Sequence, residues 1–109
     1  MTITNATTRA IIEYINAIGG LAWRNNTGAF KGAYLDKQGN NKQRFVPFGQ
    51  KGSGDVLALW RGTFYSIEVK TGKDKLRPSQ VDWIERVNAR GGVAFVAKTV
   101  DDVIERMTQ

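Results

Sequence analysis

The chain has 109 residues and a formal net charge of +6, from 16 Lys and Arg against 10 Asp and Glu, and it contains neither Cys nor His. Their absence excludes disulfides, thiolate nucleophiles, imidazole bases and the metal sites that these side chains ligate. Any catalysis must therefore use carboxylates, Lys or a metal ion held by oxygen ligands. A chain of this length is expected to form a single domain over residues 1–109.

The positive charge is concentrated in residues 21–53, which carry six basic side chains and one acidic side chain. Such a segment predicts an anionic partner, with nucleic acid first because Lys and Arg release counterions from phosphates. A solvated basic loop that only aids solubility is the alternative. No apolar run approaches the roughly 18 residues of a membrane span and no signal-peptide core is evident, so we expect a soluble, intracellular protein without a membrane partner.

The first half of the chain alternates regular segments with turn residues. A stripe of isoleucines at helical spacing, closed by a Gly-Gly pair, predicts a helix over residues 7–18. Residues 21–24 form a short apolar segment typical of a strand. Residues 33–35 and 44–46 are predicted to pair as a hairpin with its tip at residues 38–41.

The second half is more regular and predicts an α/β fold. Residues 55–60 and 63–70 are rich in β-branched and aromatic side chains and predict two strands joined by a tight turn at Arg61-Gly62. The remaining predicted elements are a helix that begins at Pro78 with an apolar stripe at Val81, Ile84 and Val87, an apolar strand at residues 93–97, and a helix opened by a capping box at Thr99–Asp102.

Two carboxylates and one ammonium converge at the open end of the predicted hairpin. Glu68 and Lys70 point to one face because side chains alternate along a strand. If the two strands pair around Arg61-Gly62, opposite residues have numbers that sum to about 123, and Asp55 lies opposite Glu68. A slip of one residue would separate the carboxylates.

Facing carboxylates repel unless a cation or a proton lies between them, and an oxygen-only pair suits Mg²⁺ or Mn²⁺. Such a metal can activate water for attack on a phosphodiester. Lys70 could hold that water or stabilise the charge of the transition state. A surface ion cluster of little energetic value is the alternative for all three residues.

These motifs resemble the PD-(D/E)XK nuclease superfamily, with GSGD at 52–55 in place of the PD element and Glu68-Val69-Lys70 as the ExK element. More narrowly, the chain is similar to the virus-type replication-repair nuclease (VRR-NUC) domain in a stand-alone form. The segments that carry this similarity are WRNN at 23–26, GSGDVLAL at 52–59, IEVKTGKDKLRPSQ at 67–80 and GGVAFVAKTVDDV at 91–103. The resemblance implies a restriction-endonuclease-like α/β core, a mixed β-sheet flanked by helices.

The resemblance also implies the roles of the site residues. Asp55, Glu68 and the backbone carbonyl of Val69 would bind Mg²⁺ or Mn²⁺, and Lys70 would be the catalytic lysine. Gln80 would reach in from the first turn of its helix, where its amide could orient Lys70, the water or a phosphate; an ordinary helix-surface glutamine is the alternative.

Family members often carry a further acidic ligand on the first helix. The only acid there is Glu13, which lies almost opposite the isoleucine stripe and is expected to face solvent. Asn5 could occupy that position instead, which leaves the number of metal ions open.

By resemblance, the chain is expected to be a metal-dependent DNA endonuclease, a homodimer selective for Holliday junctions or other branched DNA. It would serve bacteriophage or prophage replication or repair in the cytoplasm of a bacterial host cell. The residues expected to grip phosphates are Arg24, Asn25, Lys73, Lys75 and Arg77. Tyr34, Phe45 and Phe48 suit contact either with nucleic acid or with a second copy. The alternative function is a non-catalytic nucleic-acid-binding module.

Overall fold

The computed structural model describes residues 3–26 and 28–107. Within them lie three helices and six strands. In chain order they are α1 (Ile3–Ala17), β1 (Leu21–Arg24), β2 (Gly28–Leu35), β3 (Asn41–Phe48), β4 (Val56–Trp60), β5 (Thr63–Val69), α2 (Pro78–Ala89), β6 (Val93–Ala97) and α3 (Val100–Met107). None of the helices in this part of the chain is long and apolar enough to cross a membrane.

The core is a four-stranded mixed sheet in the order β1-β4-β5-β6. Strand β4 pairs antiparallel with both β1 and β5, and β6 runs parallel to β5. Helices α1 and α3 pack on one face, where their isoleucine, valine and methionine side chains bury the inward residues of the strands. Helix α2 packs on the other face, against β5 and β6. The mixed sheet flanked by helices agrees with the predicted fold class.

The register of β4 and β5 is the one predicted from the sequence. Val56 pairs with Ile67 and Trp60 with Thr63, so paired residue numbers sum to 123. The turn is made by Arg61 and Gly62, whose φ angles are +50° and +77°. Positive φ at both central residues is the signature of a two-residue hairpin turn whose twist matches the strands, and this turn fixes the register.

Helix α1 begins at Ile3, four residues before the predicted start at Thr7. Threonines in the first turn explain the difference, because they have weak helix propensity and are held here by side-chain hydrogen bonds. The Thr8 hydroxyl donates to the carbonyl of Thr4 at 2.8 Å, and the Thr4 and Thr71 hydroxyls lie 2.7 Å apart. The second contact ties the start of α1 to the segment that follows β5.

Helix α2 begins at Pro78 as predicted, but its buried face differs from the predicted stripe. Val87 is buried, whereas Val81 is 40% exposed and lies outside the packed face. The inward position in the first turn is taken by Gln80, which is 4% exposed and which the family resemblance had reaching into the site. A polar residue took the inward position because a polar partner on the sheet, Glu68, faces it.

Helix α3 opens with the predicted capping box. The backbone N–H of Thr99 donates to the Asp102 carboxylate at 3.2 Å, and the N–H of Asp102 donates to the Thr99 hydroxyl at 3.4 Å. Two orphan donors of the helix start are thereby satisfied.

Strands β2 and β3 form a separate two-stranded sheet. A hairpin was predicted here, but its strands are longer than expected and the turn spans residues 36–40, with Leu35 paired to Asn41. The Asp36 carboxylate explains the shift, because it accepts the N–H groups of Gln38 and Asn40 and closes the turn early. No other element of the described chain packs against this hairpin.

Candidate active site

The site lies at the open end of the β4–β5 hairpin, where β4 begins and β5 ends. Beyond the last pair, Val56 and Ile67, the next positions are Asp55 and Glu68. One Asp55 carboxylate oxygen accepts the backbone N–H of Val69 at 2.7 Å, and the Lys70 ammonium lies 3.7 Å from Glu68 Oε1. The structure thus brings the three predicted side chains together. Glu68 is only 5% exposed, so these groups do not form a freely solvated surface cluster.

Gln80 enters the site from the first turn of α2. Its Oε1 accepts the backbone N–H of Arg77 at 2.8 Å, and its Nε2 donates to Glu68 Oε1 at 2.9 Å. The first bond fixes which end of the amide faces the site, since an amide oxygen that caps the helix leaves only the nitrogen to point at the carboxylate. The contact of Gln80 is therefore with Glu68, and the helix-surface alternative is wrong.

The site is short of positive charge. Burial and the neighbouring charge of Asp55 raise the pKa of Glu68 from 4.5 to about 7. Lys70 and Arg77 act in the opposite direction but do not offset these effects. Two carboxylates thus share one close ammonium, and a divalent cation between them would remove the repulsion. This donor set fits a hard metal ion.

The described residues contain no group of three or more acidic, His or Cys side chains able to hold a metal. The carboxylates of Asp55 and Glu68 are thus the acidic ligands available, and the predicted carbonyl of Val69 would add an oxygen. Mg²⁺ is commonly held by one or two carboxylates with water and substrate phosphates completing its shell. Glu13 is exposed, as expected. A role for Asn5 stays a prediction.

The glycines of the GSGD turn are required by close packing. Gly52 has φ +83°, and a Cβ there would collide with the carbonyl of Ser79 at the start of α2. A Cβ on Gly54 would lie 2.7 Å from the carbonyl oxygen of Ile67 in β5. The turn is therefore pressed between α2 and β5, which fixes where Asp55 leaves it. The sequence reading identified this turn but not the contacts that demand glycine.

The side chains of Ser66 and Asn25 hold the same turn, and the sequence reading missed both contacts. The Ser66 hydroxyl oxygen accepts the N–H of Gly54 at 3.1 Å and the indole N–H of Trp83 at 2.8 Å. Asn25, predicted to contact phosphates, donates its Nδ2 to the Ser53 hydroxyl at 2.7 Å and to the Gly54 carbonyl at 2.9 Å. Its observed contacts support the turn, and contact with DNA stays a prediction.

The remaining predicted phosphate contacts differ in position. Lys73, Lys75 and Arg77 are exposed in the loop between Lys70 and α2, and Arg77 is close enough to lower the pKa of Glu68. Arg24 is exposed at the same end of the sheet but pairs with Val56, whose side chain is in the core on the α1 face. The loop thus borders the site directly, whereas Arg24 lies on the opposite face.

The raised pKa of Glu68 predicts an effect on stability. Between pH 4.5 and about 7 the folded state binds more protons than the unfolded state, so stability in the absence of metal falls as pH rises through this range. Glu68→Gln removes the penalty. We expect the variant to be more stable than the wild type at pH 8 in EDTA, by up to about 3 kcal/mol, and the gain to fall below about 1 kcal/mol at pH 5.

Chemical denaturation at both pH values measures this difference. Glu13→Gln is the matched control, because Glu13 is exposed and its replacement should leave stability nearly unchanged at either pH. A Glu68→Gln variant that is destabilised equally at pH 5 and pH 8 would contradict the claim that ionised Glu68 destabilises the metal-free fold.

Comparison with known proteins identifies the family of this fold. The family model of the VRR-NUC domain matches residues 36–101, more than half of the chain. A solved structure of a VRR_NUC domain is 26% identical, superposes with a TM-score of 0.65, and the match covers 98% of this chain and 99% of that one. No curated protein sequence matches. The chain belongs to the VRR-NUC domain family, whose members are nucleases.

Proposed function

We propose that this chain is a DNA endonuclease that hydrolyses phosphodiester bonds with Mg²⁺ or Mn²⁺, folded as one domain over residues 1–109. The observation that carries the proposal is the buried Glu68 beside the half-buried Asp55 and Lys70, where burial and the charge of Asp55 raise the pKa of Glu68 to about 7. A purely structural role does not require one carboxylate to be buried beside another.

In this proposal Asp55, Glu68 and the carbonyl of Val69 hold the metal, which when bound polarises a phosphoryl oxygen and lowers the pKa of water. The chain's own groups are already positioned for their parts. The N–H of Val69 orients the Asp55 carboxylate, and the amide of Gln80 orients that of Glu68. Both are oriented before any substrate arrives.

Lys70 is the proposed catalytic lysine. Its side chain is only 14% exposed, and its ammonium lies 3.7 Å from Glu68 Oε1. A cation in that position can hold the attacking water or stabilise the negative charge that develops on the phosphoryl group.

The loop of residues 71–77 is proposed to position the DNA backbone. Lys73, Lys75 and Arg77 are exposed beside the site, and cations so placed bind phosphates without reading sequence. Arg24, on the other face of the sheet, and Asn25, beside the Gly-rich turn, are proposed as further phosphate contacts from the family resemblance. Selectivity for Holliday junctions or other branched DNA, and a place in phage or prophage replication or repair in a bacterial cytoplasm, are proposed from the family resemblance.

We also propose a homodimer, supported by an uncovered apolar face of the sheet. Leu21 pairs with Leu59, which pairs with Phe64, and these side chains are 62%, 48% and 37% exposed. Trp23 lies on the same face and is 45% exposed. A contiguous apolar patch of this kind typically marks an interaction site. Two copies would place two centres near two strands of a branched substrate.

The catalytic assignment predicts a loss of cleavage without a loss of binding. Asp55→Asn and Lys70→Ala should each reduce the cleavage rate roughly 100-fold or more, because each removes a group that acts on the transition state. Cleavage of a labelled four-way junction, linear duplex and single strand is measured with Mg²⁺, Mn²⁺ or EDTA. Binding is measured in EDTA and should be retained.

Glu85→Gln and Arg90→Ala are the controls for these variants, because both residues are exposed on α2 or at its end, away from the site. Normal cutting by the Asp55 and Lys70 variants would refute the assignment. Retarded but uncut DNA under every condition would indicate the non-catalytic binding module instead.

The dimer predicts a mass of twice the 12.1 kDa chain by light scattering. Leu59→Arg should give a monomer, since a charge in the apolar patch opposes its burial. Val81→Arg, on the exposed side of α2, should remain a dimer. A wild-type monomer that still cleaves at working concentration would show the dimer to be wrong.

A further inference from the structure

The β2–β3 hairpin is the part of the described chain that the proposed active site does not explain. It carries Lys31, Lys37, Lys42 and Arg44 against Asp36 alone, a net charge of +3 over residues 28–48. Each strand has eight residues, or about 26 Å of chain, and no described helix or other strand packs on it. Packing of the core does not explain two long strands that lie outside it and carry several cations.

The pairing of the strands places Lys42 and Arg44 on one face. Tyr34 pairs with Lys42 and Gly32 with Arg44, so the three side chains of Tyr34, Lys42 and Arg44 lie on the same side of the hairpin. Tyr34 is 46% exposed, and the Arg44 guanidinium carbon lies 5.7 Å from the centre of its ring. We refer to these three residues as the hairpin face. The residue directly opposite Arg44 on the partner strand is a glycine, Gly32.

The cations of the hairpin face have no acidic partner. Neither Lys42 nor Arg44 forms an ion pair within residues 3–26 and 28–107. The one acid of the hairpin, Asp36, uses its carboxylate to accept the N–H groups of Gln38 and Asn40 in the turn. The charge of the hairpin face is therefore available to an external anion.

We propose that the hairpin face is a DNA-binding surface separate from the active site, which holds an unpaired segment of the substrate. Cations two residues apart on a strand are about 7 Å apart and can follow one backbone. An exposed tyrosine beside them offers a stacking surface for a base, the combination found in single-strand-binding grooves. The proposal takes only its substrate class from the proposed nuclease function.

A second copy of the chain is a poorer occupant of the hairpin face. Self-association through it would bring two sets of uncompensated cations together, which is unfavourable. DNA supplies the opposite charge and releases counterions on binding. Charge complementarity therefore selects DNA.

The test measures binding to a fluorescent flap DNA and to matched blunt duplex by anisotropy, in EDTA, over a range of salt concentrations. The charge variant is Lys42→Gln with Arg44→Gln, and the stacking variant is Tyr34→Ala. The control is Arg9→Gln with Arg90→Gln, which removes two exposed cations on α1 and at the end of α2, helices that do not pack against the hairpin.

We expect the charge variant to weaken flap binding about 10-fold or more near 0.1 M salt and to lower the salt slope by about 2, with the control unchanged. Tyr34→Ala should weaken binding to flap DNA more than to duplex, since only unpaired bases can stack. Thermal unfolding should stay close to that of the wild type, because no described helix or other strand packs on the hairpin and the variants remove only the contact of Arg44 with the Tyr34 ring.

The outcomes separate this proposal from the nuclease function. Unchanged affinity and salt slope in the charge variant, with cleavage intact, overturn the hairpin face alone. If the wild type binds DNA but never cleaves it, and the charge variant loses that binding, the nuclease function alone is overturned. If the wild type is a dimer and the charge variant a monomer in light scattering, and the salt slope of DNA binding is unchanged, the hairpin face is a contact between copies. That outcome overturns the proposal.

Discussion

The pairing of β4 with β5 is the constraint on which the site depends. Arg61 and Gly62, both at positive φ, make a two-residue turn that sets the register. That register carries Asp55 to a position opposite Glu68 at the far end of the hairpin. Because side chains alternate, a shift of one residue would move one carboxylate to the other face of the sheet. The turn thus determines, from a distance of a whole strand, whether the two carboxylates meet.

The rest of the structure keeps these carboxylates together against their mutual repulsion. The Gly-rich turn is pressed between α2 and β5, and the hydrogen bonds of Ser66 and Gln80 hold the turn and Glu68 in place. Burial and repulsion raise the pKa of Glu68 to about 7, which is a cost to the folded protein without metal. Unfavourable burial of charge is common at functional sites, where a bound ligand offsets the repulsion.

Local patterns in the sequence predict much of the fold and the centre of the site. The short turn with its flanking β-branched residues predicts the register, and from it follows the meeting of Asp55 and Glu68. What the sequence does not reveal depends on partners distant in the chain. Gln80 is buried because Glu68 faces it, and Gly52 must be glycine because Ser79 lies against it. Val81 has the right helical spacing but is 40% exposed.

The most direct test of the account is an anomalous difference map from crystals grown at pH 8 and soaked in Mn²⁺. The account predicts one or more strong peaks between the carboxylates of Asp55 and Glu68, and their loss in Glu68→Gln crystals soaked in the same way. A map without a peak at this pair, from protein that cleaves DNA in the same Mn²⁺ buffer, would contradict it.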